Sequence, residues 1–319
     1  MTAEHAVETV RAAAARAFEA HRRFLWGLCY RMTGSAADAD DLVQETFVRA
    51  LERPPRNLAD EWRAWLARIA TNLSIDSLRR RRRRAYVGPW LPSPIDTGDE
   101  ASPPGYEIES PDASTEHRYD LVESVSMAFL LALERLTPRQ RAVLILRDVF
   151  DYTVRETAEA LALTPANVKV THHRARRAMR GYDASRLRPT RDRQADTAAR
   201  LRAFLACLQN QDVAGVEAML AADARALSDG GGEYHAAQRP IVGRRNVTHL
   251  LAGLAAKNAV LGMDSRMLNG LPAVVVHLPA RRGFAPRFTF QIVLNADGGI
   301  SAVYTVLASR KLLAIPDST

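Results

Sequence analysis

Between Leu136 and Arg180 the chain reads LTPRQRAVLILRDVFDYTVRETAEALALTPANVKVTHHRARRAMR, and three helix starts are written into it. Thr137 with Gln140 and Thr153 with Glu156 each fit a capping box, in which the hydroxyl accepts from a backbone N–H three residues on while the longer side chain reaches back. Thr164 with Pro165 fits an N-cap followed by proline at the first helical position. The spacing predicts a helix over Val154–Leu161, a turn over Ala162–Thr164 and a longer helix from Pro165 to about Arg180. A short helix, a tight turn and a longer basic helix make a helix-turn-helix, whose last helix can enter a major groove. On it Val168 and Ala175 are expected to face inward, while Lys169, His173, Arg174, Arg176 and Arg177 supply donors for phosphates and guanine edges. A solvated basic helix in an ordinary bundle is the alternative.

The first block, from Glu4 to about Arg84, is helical in pattern throughout. GSAADADDLVQETFVRALERPP reads as one amphipathic helix, with Leu42, Val43, Phe47, Val48 and Leu51 toward a core and Asp38, Asp41 and Glu45 on the opposite side. Acids in a first turn suit the helix dipole, so a plain solvated face is an alternative. A calcium loop is excluded, because its glycine and ligand alternation are missing. EWRAWLARIATNLSIDSLRRRRRR places Trp62, Trp65, Ile69 and Leu73 inward and ends in six arginines, Arg79 to Arg84. Such a run repels itself unless a polyanion is near, so it reads as a phosphate-binding tail.

A net charge of +8 agrees with a phosphate-rich partner. Cys29 and Cys207 are expected to be buried reduced thiols, with no spacing that would hold a metal. No segment has the ~18 apolar residues of a membrane span, so a soluble, cytoplasmic protein is expected. GPWLPSPIDTGDEASPPGYEIESPD, Gly88 to Asp112, reads as a linker, and GYDASRLRPTRDRQ as a polar hinge. After Ala195 the pattern becomes two helices followed by strands such as PAVVVHLP, RFTFQIVLNADGG and ISAVYTVLAS. The divisions are 1–87, 88–113, 114–181, 182–195 and 196–319.

YRMTGSAADADDLVQETFVRA, WRAWLARIATNLSIDSLRRRRRR and the helix-turn-helix, in that order, resemble the two domains of extracytoplasmic-function sigma factors, over roughly Phe18 to Arg180. The resemblance implies a non-catalytic subunit that binds core RNA polymerase, at its clamp and flap regions, and directs it to promoter DNA. Residue by residue, Asp41, Gln44 and Glu45 match the surface that docks on the polymerase clamp. Asn72 matches the part that captures unstacked minus-ten bases, with Arg79 and Arg80 steadying the backbone. Lys169, His173 and Arg174, with Arg176 beside them, match the helix that reads the minus-thirty-five duplex. The chain departs from the family at Ala162, where glycine is usual, at Thr171, where arginine is common, and at His172, where an apolar residue is normal.

Residues from about Arg193 to Ile315 resemble SnoaL-like members of the NTF2-like fold, a curved sheet wrapped by helices into a cone. The implied fold class is two all-α domains, sigma region 2 and the region 4 helix-turn-helix, followed by an α+β NTF2-like cone. A subgroup of these sigma factors pairs a WLPEP motif in the linker with DGGGK in such an extension; this chain has WLPSP, Trp90 to Pro94, and DGGGE, Asp229 to Glu233. The subgroup's late NPDKL stands here as ASRKL, Ala308 to Leu312. A Walker-type cradle would need a following Lys-Ser/Thr and a helix, and a lipase oxyanion loop a GxSxG elbow; neither occurs. Two readings of Asp229, Gly230, Gly231 and Gly232 remain. One is an ordinary turn; the other is a regulatory contact in which bare glycine backbone admits the linker around Trp90, Leu91 and Pro92. No cofactor is expected. For the cone itself, sensing of a small molecule in its pocket, or isomerase or hydrolase chemistry using Asp229, Tyr234, His235 and His277, stays open beside regulation.

Overall fold

The computed structural model describes residues 3–55, 62–83, 86–98, 119, 121–186 and 188–316, with the side chains of residues 3–10 outside that description. Arg84 and residues 99–113 of the expected linker therefore lie outside the described residues, as do residues 114–118 at the start of the region expected from 114. Two compact units are present: Met1–Arg84 with Ser102–Arg186, and Ala85–Ala101 with Leu187–Thr319.

In the first unit, α1 (Ala3–Thr33) ends at Gly34, which takes φ 68° and donates its N–H to the Tyr30 carbonyl. Ser35 caps α2 (Ala36–Glu52) by accepting from the Asp38 N–H, and α3 (Trp62–Arg83) completes a three-helix layer. Leu25, Leu28, Val43, Phe47, Leu66 and Ala70 form its centre. Val48 and Leu51 do not face this core as expected; they are 51% and 45% exposed. At about 100° per residue, Ala39, Val43, Thr46 and Ala50 complete the inner stripe, which leaves Val48 and Leu51 on the same side as Gln44 and Glu45. Cys29 lies in the core, where burial pushes its thiol up to about 12, whereas Cys207 is only half-buried, near the C-terminal end of the helix Arg191–Gln209 with its Sγ 3.6 Å from Asp212 Oδ2.

The second group of helices is α4 (Met127–Leu133), α5 (Pro138–Asp148), α6 (Val154–Leu161) and α7 (Pro165–Ser185). Both capping boxes are closed, and Thr164 accepts from the Asn167 N–H at the start of α7. Helix α7 runs five residues beyond the expected end and takes up the first part of the expected hinge. Asp183 there accepts from the Tyr119 hydroxyl at 2.7 Å and the Tyr182 hydroxyl donates to Glu123 at 2.8 Å, so tertiary bonds hold the extra turn.

The two helical groups are joined around Glu134, at the end of α4. Its carboxylate accepts from Arg81 of α3 and from Arg141 of α5, both at 2.7 Å, while Arg81 also reaches the Thr33 carbonyl and Arg141 the Met32 carbonyl. Arg82 donates to the Leu136 carbonyl. The arginine run is thus not wholly a phosphate-binding tail: Arg81, half-buried, and Arg82, exposed, are both engaged by acceptors at the ends of α1 and α4.

In the second unit, α8 (Arg191–Gln209) and α9 (Val213–Met219) precede a sheet of β1 (Leu220–Asp229), β2 (Ile241–Val242), β3 (Gly262–Leu268), β4 (Leu271–His277), β5 (Arg287–Leu294) and β6 (Ile300–Val306). A third helix, α10 (Arg244–Lys257), beyond the two expected, lies between β2 and β3 and ahead of the strands named from the sequence. The sheet order is β2-β1-β6-β5-β4-β3, with β1 and β6 parallel and the other pairs antiparallel. Phe204, Val216, Val247, Ile292 and Val303 lie in the core between helices and sheet.

The stretch read as linker belongs in its first half to this unit. Leu91 through Asp96 are all buried. Three residues of this stretch find partners for their N–H groups: Leu91 on Asp229 Oδ2, Ile95 on Asn269 Oδ1 and Thr97 on the Met267 carbonyl. An extended proline-rich segment has few donors to satisfy, so it can be buried as a strap where composition alone suggests a flexible tether.

Candidate functional site

The sequence-selected residues of the helical unit lie on its surface. Asp41, Gln44 and Glu45 are exposed on α2, with Val48 and Leu51 among them and Glu45 paired to Arg49 at 2.8 Å. On α3, Asn72, Asp76, Arg79 and Arg80 are exposed along one face, and Arg79 pairs with Asp76 at 3.1 Å. On α7, Val168 and Ala175 are fully buried, which turns Lys169, His173, Arg174, Arg176 and Arg177 outward. His172 has a structural use: its Nε2 lies 2.8 Å from the buried Asp148 carboxylate of α5, with Arg176 at 3.6 Å from the other oxygen. Ala162 ends α6 at φ 51° and ψ 48°, the left-handed conformation in which glycine would carry no Cβ penalty.

In the C-terminal unit, Asp229 terminates β1 with its side chain fully buried. Four donors converge on it. The Tyr86 hydroxyl at 2.6 Å and the Gly231 N–H at 3.0 Å bond Oδ1; the Leu91 N–H at 2.7 Å and Lys311 Nζ at 2.5 Å bond Oδ2. Lys311 also donates to the Leu91 carbonyl and lies over the rings of Tyr86 and Trp90, 4.9 and 4.5 Å from their centroids. One carboxylate therefore ties the strap (Tyr86, Trp90, Leu91), the glycine turn and the late Ser309–Leu312 helical turn. Pro92 continues the strap, buried beside Leu91.

The glycines are used for proximity. Gly231 takes φ 60° with a would-be Cβ 2.9 Å from Ala308, and Gly232 takes φ 77° with one 3.4 Å from Val87. At Gly230 a Cβ would meet the Tyr234 carbonyl oxygen at 2.6 Å. The strap residues over the turn are Tyr86 and Val87, while Trp90, expected there, covers Lys311 instead. Glu233 accepts from the Ser309 N–H at 2.9 Å and its hydroxyl at 2.6 Å. Burial opposes the charge on Glu233, but these bonds hold its carboxyl below the usual range.

Asp229 and the histidines do not converge. His235 lines an apolar pocket of about 730 Å³ to which Asp229 does not contribute, and His277 pairs with Asp264 at 2.7 Å. Among the described residues no metal-ligand cluster occurs, and no helix is long and apolar enough to cross a membrane.

Residues 17–84 match Sigma-70 region 2, and residues 126–179 match Sigma-70, region 4. The whole chain is similar to the ECF RNA polymerase sigma factor SigJ of Mycobacterium tuberculosis H37Rv, 31% identical over 308 residues, covering 94% of this chain and 93% of the relative. The chain belongs to the ECF RNA polymerase sigma factors. Its helical half is also 40% identical over 176 residues to SigG of the same organism, a match that spans 50% of this sigma factor and 45% of SigG. The crystal structure of M. tuberculosis SigJ superposes with a TM-score of 0.69 at 27% identity, over 94% of this chain and 98% of that one. Sigma regions 2 and 4, followed by a helix-and-mixed-sheet domain, are thus the fold of this sigma factor.

Sequence reasoning missed Tyr86, Glu134 and the central place of Lys311. Tyr86 precedes the quoted motif by four residues, and Glu134 carries no local pattern. Lys311 did leave a signal: it is one of only three lysines in an arginine-rich chain, and it sits in the retained half of ASRKL.

Proposed function

We propose that this sigma factor, acting in the cytoplasm, docks on core RNA polymerase through the exposed face of α2 formed by Asp41, Gln44 and Glu45, where Val48 and Leu51 add apolar contact. Asn72, Arg79 and Arg80 hold the unstacked minus-ten strand, and Lys169, His173, Arg174 and Arg176 contact the minus-thirty-five duplex. The C-terminal domain regulates rather than catalyses: by holding residues 86–97 it shortens the free tether between regions 2 and 4 and so restricts how they span a promoter. The observation that carries this reading is the buried Asp229 carboxylate bonded at once to the strap and to Lys311. In vitro transcription with core polymerase tests it, comparing the full chain, a chain ending near Arg193 and Asp229→Ala; equal output from all three overturns the regulatory role. Arg174→Ala is expected to weaken duplex binding by ~1–3 kcal/mol, and Asn72→Ala to impair strand opening more than duplex binding. Unchanged open-complex formation in both overturns the DNA assignments.

A further inference from the structure

The pocket of about 730 Å³ in the C-terminal unit has a size within the range of small-molecule sites. Its walls come from Leu205 and Leu208 of α8, Leu250 of α10, Val276 of β4 and Phe288 and Phe290 of β5. Leu254 and Val260 also line it while each is 45% exposed, so an apolar lip is open to solvent. No Asp, Glu, Lys or Arg lines the pocket; the polar groups are an imidazole, two hydroxyls and two carboxamides. The two hydroxyls, Ser228 and Thr305, are register partners on the parallel strands β1 and β6. A charged ligand would leave its ion without a counter-charge among hydrocarbon, whereas a neutral one with one or two oxygens finds both contact area and hydrogen-bonding groups.

The same two strands carry the Asp229 node. Ser228 lines the pocket and its neighbour Asp229 turns to the strap, as alternation along a strand requires. Leu307 lines the pocket and donates its N–H to the Asp229 carbonyl at 2.8 Å; His235, on the wall, directly follows Tyr234, whose N–H closes the glycine turn on the Gly230 carbonyl at 3.2 Å. We propose that the pocket binds a neutral, largely apolar small molecule and that its occupancy alters the hold of Asp229 on the strap. The second half rests on the regulatory reading above; the first half stands without it.

The experiment uses the full chain and two fluorescent probes that share a ring system, neutral N-phenyl-1-naphthylamine and its sulfonated relative 1-anilinonaphthalene-8-sulfonate. Saturable one-to-one binding of the neutral probe is expected, at least about tenfold tighter than the anionic one. Leu254→Arg, at a position 45% exposed, is expected to weaken the neutral probe by a similar factor, and Asp229→Ala to keep saturable binding, with its affinity shifted only by the coupling. Absence of saturable binding, equal affinity for the anion, or an unaffected Leu254→Arg overturns the site. Hydrogen exchange of residues 86–97 is expected to change when the neutral probe binds. Binding with unchanged exchange overturns the coupling alone, while the transcription result with Asp229→Ala continues to decide the clamp itself.

Discussion

Glu134 in the helical unit and Asp229 in the C-terminal unit solve one problem in two ways. Each is a single carboxylate that gathers donors from different segments. Glu134 joins α3 to α5 through Arg81 and Arg141; Asp229 joins the strap to the end of the chain through Leu91 and Lys311. They differ in solvent: the Glu134 side chain is 32% exposed and that of Asp229 fully buried. Solvent can therefore replace part of what the Glu134 carboxylate accepts, whereas the Asp229 carboxylate has only its protein donors.

The largest expected effect follows from the buried node. Asp229→Ala leaves the Lys311 ammonium, itself 10% exposed, without its counter-charge, at a cost of about 3–5 kcal/mol. That loss is expected to be local, read as accelerated amide exchange across residues 86–97 in the full chain. Replacing the pair together, Asp229→Asn with Lys311→Met, is expected to recover much of it, because no lone charge is then buried. Unchanged exchange in Asp229→Ala, or a double variant worse than the single, breaks the comparison at its stronger end.

Glu134→Gln is expected to cost less, about 1–3 kcal/mol: the amide still accepts one bond, Arg81 stays partly solvated and Arg141 keeps the Met32 carbonyl, although the Arg141 guanidinium, 2% exposed, loses its counter-charge. Burial disfavours the Glu134 charge, yet the neighbouring guanidiniums of Arg141 and Arg81 outweigh it and hold the carboxyl below its ordinary value. An acid depressed in the folded state contributes stability that is complete above its unfolded value, about 4.3, and is lost as pH falls through the lower folded one. Amide exchange across α5 is therefore expected to separate the natural chain from Glu134→Gln at pH 6 and to bring them together toward pH 3. A gap that persists on acidification shows that the joint does not depend on this charge.

What the sequence made visible was local. The caps at Thr137, Thr153 and Thr164 need only residues three positions away, so the helix-turn-helix was legible to its helix starts, though not to the end of α7, which tertiary bonds carry on to Ser185. The strap was not, since burial of Leu91 to Asp96 depends on Asn269 and Asp229, more than 130 residues on, and proline-rich composition is common to buried straps and free tethers. His172 looked out of place for a similar reason: its partner, Asp148, lies on another helix. Strand β1 was missed because LAADARALSD lacks β-branched residues and is made a strand by its pairing, mainly the parallel one with β6 and in part the antiparallel one with β2. At the candidate site, Asp229 and the glycines were legible as a motif, but the lysine and tyrosine that complete the node come from opposite ends of the unit's sequence.

Glu233 extends the comparison to a third carboxylate, one that is exposed. It stands where the subgroup motif has lysine, and it bonds both the N–H and the hydroxyl of Ser309, which opens the helical turn carrying Lys311. A side-chain acceptor at a helix start contributes about 0.5–2 kcal/mol, and solvent exposure places this one at the low end. Glu233→Gln is expected to raise amide exchange at Ser309 modestly while leaving the strap protected, and Glu233→Lys to do slightly more, since an ammonium cannot accept either bond. If Glu233→Lys instead releases residues 86–97 as fully as Asp229→Ala, the exposed carboxylate controls Lys311, and burial is not what separates a clamp from a cap.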